Sequence, residues 1–124
     1  MRKFVLLGAI AAALAGCGSS STAHGPIVFG ISGGNIAPYR VSIQPNGGVR
    51  GASHRQISRE RVRRLQQEIE EAHLTSRRCS GTLPDIASRY IRVGDRTVTV
   101  HGSCETSFQR VWNELAQTVG LSRS

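Results

Sequence analysis

Apolar residues along this chain change their spacing from one stretch to the next, and each change marks an element. Ile27, Phe29 and Ile31 alternate with their neighbours, the period of a strand with one buried face, so residues 26–31 are expected to form a strand. Ser32-Gly33-Gly34-Asn35 carries turn chemistry and leads into a second alternating run, with Tyr39, Val41 and Ile43 on one face and Arg40, Ser42 and Gln44 on the other. Pro45-Asn46-Gly47-Gly48 is another tight turn, after which residues 49–52 make a short third strand. The spacing then lengthens. Val62, Leu65, Ile69 and Ala72 recur with helical period behind Ser58, an N-cap residue, and Glu60, a first-turn acid, so residues 59–73 are expected to be an amphipathic helix. Glu60 and Arg64 are four apart in the favourable order and Arg64 and Glu68 in the reverse one, as suits a solvated face.

Residues 75–85 read as a loop carrying Cys79, Gly81 and Pro84. Residues 86–93 and 96–102 read as a hairpin around Gly94-Asp95, and a two-residue turn pairs Val93 with Arg96, Ile91 with Val98 and Arg89 with Val100. One face of that hairpin is mostly Ile and Val; the other presents Ser88, Tyr90, Arg92, Thr97, Thr99 and His101, an open face able to carry a partner patch. Phe108, Val111, Trp112, Leu115 and Val119 form one stripe of a second helix over residues 105–119, stopped by Gly120 with Leu121 behind it. Strands, helix, hairpin, helix predict a two-layer α+β domain: a largely antiparallel sheet of four to five strands packed against two helices, in the order β-β-(β)-α-β-β-α.

The start of the chain follows different rules. Met1-Arg2-Lys3 is basic, Phe4 to Leu14 is apolar but too short for a permanent bilayer span, and Leu14-Ala15-Gly16-Cys17 ends the run with small residues and a cysteine. LAGC resembles the lipobox of bacterial lipoproteins. That resemblance implies a signal peptide over residues 1–16, cleavage before Cys17, and acylation of Cys17, with residues 17–25 as a flexible tether and residues 26–124 as the folded domain. The protein is then extracytoplasmic, held by lipid on the bacterial cell membrane or outer membrane. Loss of Arg2 and Lys3 leaves fourteen arginines against eight acids, a charge of +6. The arginines are spread along the chain, many beside acids, without the stacking aromatics of a nucleic-acid platform; export also argues against such a partner, and anionic lipid is the simpler complement.

Two cysteines remain, Cys79 and Cys104, and in an oxidising compartment they read as one disulfide. His101 lies near Cys104, so the same residues could also serve as metal ligands or as a Cys–His nucleophile pair; both need reduced thiols, and no metal or cofactor is expected. Gly30-x-Ser32-x-Gly34 matches a serine-hydrolase elbow, with Asp85 and His101 later in the appropriate order. An elbow needs a helix directly after the serine, whereas here Pro38 and a second strand follow, so Ser32 reads as a turn residue and the protein as non-catalytic.

Ser32-Gly33-Gly34 between strands, Ile57-Ser58 opening a helix, Leu65 and Ile69-Glu70-x-Ala72 within it, Asp85, Tyr90-x-Arg92-Val93 and Val98-Thr99-Val100 together resemble the emfourin-type inhibitors of thermolysin-like metalloproteases. The similarity runs from about Pro26 to Leu121. It implies a small β-β-α-β-β-α binding module for a protease, with the exposed turn Ser32, Gly33, Gly34 and Asn35 as candidate contacts. The lipid anchor and the cysteine pair depart from that family. They leave open the alternative of a structural or accessory envelope lipoprotein that binds wall polymer or another envelope protein.

Overall fold

The computed structural model describes residues 25–121; the expected leader, Cys17 and the tether before residue 25 lie outside the described residues. The elements are β1 (Ile27–Ser32), β2 (Tyr39–Ile43), β3 (Val49–Arg50), α1 (Arg59–Glu71), β4 (Arg77–Arg78), β5 (Ser88–Val93), β6 (Arg96–His101) and α2 (Thr106–Thr118). The strands form one sheet in the order β3-β2-β1-β5-β6-β4, antiparallel except where β4 lies parallel to β6. This is the expected two-layer α+β architecture with one strand more than expected. That strand is Arg77–Arg78, placed inside what the sequence suggests is a loop; two exposed arginines carry no apolar pattern, and only their pairing with Val100 and His101 makes them a strand.

The register explains the core. Val49, Ile43, Ile27 and Val93 form one row across four strands; Val41, Phe29, Ile91 and Val98 form the next. All eight are buried, on the sheet face that the helices cover. From α1 come Val62 and Leu65, and from α2 come Phe108, Val111, Trp112 and Leu115, all on the predicted stripes. Trp112 is central: its ring meets Phe29 edge-on at 5.8 Å, and the Arg89 guanidinium lies 4.8 Å from its centroid. Burial pushes the Tyr39 hydroxyl pKa up beside this cluster, while the Arg89 charge pulls it back. Among the described residues the buried apolar side chains from Ile27 to Val119 form one core cluster, drawn from both layers.

Ser58 Oγ accepts from Arg61 N at 3.1 Å, as the capping sequence predicts. Helix α2 ends on Gly120 at φ 74°, with Leu121 N donating to Ala116 O at 2.9 Å. Glu105 precedes α2 but does not cap it; its carboxylate pairs with Arg77 at 2.7 Å, tying β4 to the helix layer. Between the helices, Glu68 Oε2 is buried with no partner among the described residues. The hydrogen bond that the protonated Glu68 carboxyl can share with Glu114, then burial and the Glu114 charge, hold the Glu68 pKa above the ordinary glutamate range against Arg61 and Arg64.

Candidate partner-binding surface

One end of the sheet gathers most of the residues that the sequence singles out. There β1 ends at Ser32, opposite Ser88 of β5, and Gly33 and Gly34 turn the chain at φ 75° and 66°. A Cβ on Gly33 would meet open space, but one on Gly34 would lie 2.5 Å from Asp85 O and 2.6 Å from Ala87 N. Asn35 N donates to Asp85 O at 3.1 Å. The turn Ser32–Asn35 therefore rests on the loop before β5, and its four residues are exposed.

That loop is itself fastened. Cys79 and Cys104 form a disulfide with Cα atoms 5.7 Å apart. Cys79 N donates to His101 O at 2.8 Å, Thr82 N to Cys79 O at 3.3 Å, and Ile86 N to Leu83 O at 3.1 Å. The register puts His101 on the sheet face opposite the helices, as the hairpin pattern predicts, but it is only 8% exposed there, because the loop folds over it, and its Nε2 hydrogen-bonds Ile86 O at 2.9 Å. A carbonyl only accepts, so Nε2 carries the proton and Nδ1 is left without a partner among the described residues.

The serine-hydrolase pattern does not come together as an elbow. Ser32 passes through a turn into β2, with no helix behind it, and the His101 ring is occupied by the Ile86 carbonyl. The two cysteines are joined to each other, and among the described residues no group of three or more His, Cys, Asp or Glu is placed to hold a metal ion.

Sequence reading missed the apolar part of this surface. Among the described residues the exposed large hydrophobics are Ile36 at 51%, Leu83 at 64% and Ile86 at 50%, and all three line one groove of about 570 Å³ beside the turn. The sequence pattern puts Ile86 first in a strand; β5 starts two residues later, at Ser88, so Ile86 stays in the loop with half of its surface in solvent. The available signal was the run Leu83-Pro84-Asp85-Ile86, apolar residues inside turn chemistry with no periodicity to bury them.

Comparison with family models, with curated proteins and with solved structures finds no match. Among the described residues no helix is long and apolar enough to cross a membrane.

Proposed function

We propose that this chain is an exported, lipid-anchored protein whose folded domain is a non-catalytic binding module, and that its partner is a secreted metalloprotease of the thermolysin type. The observation that carries the reading is the loop end of the sheet. Three exposed apolar side chains, Ile36, Leu83 and Ile86, stand on loops fixed by a disulfide and by backbone hydrogen bonds beside the turn Ser32–Asn35. Fixed loops lose little conformational entropy on docking, which is what a tight inhibitor requires. Exposed apolar groups that cluster mark an interaction site, whereas scattered ones do not. The element order of the emfourin-type inhibitors supports the choice of partner.

The test is a titration of the domain, as a chain beginning at residue 18, against a thermolysin-like protease while peptide hydrolysis is followed. Stoichiometric inhibition is expected. Burying one leucine contributes about 1.5–3 kcal/mol, so Leu83→Asp should weaken inhibition roughly ten- to a hundredfold with the melting temperature unchanged. An intact domain that leaves hydrolysis untouched would move the assignment to an envelope partner.

A further inference from the structure

Charge is divided between the two layers of this molecule. The six strands contain seven arginines and no carboxylate. Helix α1, in contrast, carries four arginines and four glutamates, and α2 carries one of each, so the helical layer is neutral. The strand arginines divide again by face. Those on the helix side are each engaged: Arg77 with Glu105, Arg89 with the Trp112 ring, and Arg96 with Leu74 O at 2.6 Å. On the opposite face lie Arg40, Arg50, Arg78 and Arg92, all exposed and, among the described residues, in no ion pair. Arg92 donates only to Gly94 O of its own hairpin turn.

The register sets their spacing. Arg50, Ser42, Val28, Arg92 and Thr97 form one row across five strands, and Arg40, Gly30, Tyr90 and Thr99 form the next. Strands lie about 4.8 Å apart, so Arg50 and Arg92 stand roughly 14 Å from each other, with Arg40 between them one row on. The residues separating these three are small or flat: Ser42, Val28 and Gly30, the last lying against the Tyr90 hydroxyl. Separated cations and a single half-buried aromatic suit a plane of anionic groups; the hollow on this face lies toward β4, lined by Arg78, Ser88, Thr99 and His101 and by none of these three arginines, and among the described residues the face has no stacked rings for bases.

We infer that this open sheet face lies against the anionic phospholipid surface of the membrane to which the chain is anchored. The charge pattern stands by itself; the geometry of approach rests on the lipoprotein reading above. The eight residue-to-residue steps from Cys17 to Gly25 reach at most about 28 Å. Gly25 lies two residues before Ile27 and three before Val28, which sits in the row of Arg50 and Arg92, so the anchor holds that row near the lipid. Each basic residue near an anionic leaflet raises partitioning about fivefold, so three together give roughly a hundredfold.

The experiment uses the unlipidated chain from residue 18, so that its outcome is independent of Cys17, with vesicles of phosphatidylcholine alone or with about a third phosphatidylglycerol. Flotation at about 0.05 M salt is expected to recover the protein with the anionic vesicles only, and about 0.5 M salt to release it. The Arg40→Ser/Arg50→Ser/Arg92→Ser variant should lose roughly a hundredfold in binding, Arg→Lys at the same positions should keep most of it, and Arg63→Ser on α1 should change nothing. Melting temperature and protease inhibition should stay at the parent values in the serine variant. Equal recovery with neutral vesicles, no recovery with either, or equal loss in Arg63→Ser would overturn the assignment. So would binding to an immobilised acidic polypeptide without binding to vesicles, or loss of protease inhibition in the serine variant, which would give the face to a protein.

Discussion

Gly33 and Gly34 are adjacent and share the sign of φ, yet their missing side chains serve different ends. Gly33 faces solvent, so Gly33→Ala should cost only the left-handed conformation, about 1–2 kcal/mol. Gly34 rests on the backbone of Asp85–Ala87, and Gly34→Val should separate the turn from that loop, with a larger fall in melting temperature and weaker binding at Leu83 and Ile86. Thermal melts and inhibition titrations of the two variants check this. The turn was legible in the sequence because Ser-Gly-Gly-Asn states its conformation locally; its seat on Asp85 was not, since that contact joins residues fifty positions apart. Glu68 provides a second case. Its folded pKa is raised, so the stability it contributes is fully present below the ordinary glutamate value and is lost as pH rises through the folded value. Glu68→Gln gives Glu114 a permanent donor. The variant should melt higher than the parent by a few degrees at about pH 7.5, and the difference should shrink toward about pH 4.

Among elements, the hairpin was the most legible. A two-residue turn leaves one register, and Val93–Arg96, Ile91–Val98 and Arg89–Val100 are the pairs observed. Both helices also lie where the apolar stripes place them, shorter by a residue or two at their ends, where His73, Glu105 and Val119 leave the helical path. What eluded the sequence was the stretch between α1 and β5, because nothing local organises it. Arg77–Arg78 becomes a strand by borrowing the edge of β6, and the 79–87 loop takes its path from the disulfide and from His101 beneath it. The cysteine bond should therefore matter most here. In the chain-entropy picture, closing a loop of about 25 residues stabilises by roughly 3–4 kcal/mol, so Cys79→Ser/Cys104→Ser should lower stability by that amount. Proteolytic nicking should appear first within residues 80–86, and inhibition should fall further than in a variant equally destabilised in the core. In the parent protein, thiol reagents should label neither cysteine before reduction.

At the scale of the whole molecule the apolar groove lies at the loop end, while the start of β1, toward Cys17 in the sequence, adjoins the arginine row of the open sheet face. If Cys17 is the lipid attachment, Cys17→Ser should release the protein from membranes into the soluble fraction or leave an uncleaved precursor. Detergent partitioning and the mass of the N-terminal peptide distinguish these outcomes from an unchanged, membrane-held mature form, which would refute the anchor. Strand β1 runs from the end nearer Cys17 in the sequence to the loop end that holds Ser32–Asn35. Gly25 precedes it at one end, Ser32–Asn35 follows at the other, and between them it is bonded on both sides, over five register pairs to β2 and six to β5. A partner pulled away by flow or by a departing cell would load this strand along its length. Its two ladders would then bear the tension together, in shear, because β1 lies inside the sheet and not at either edge.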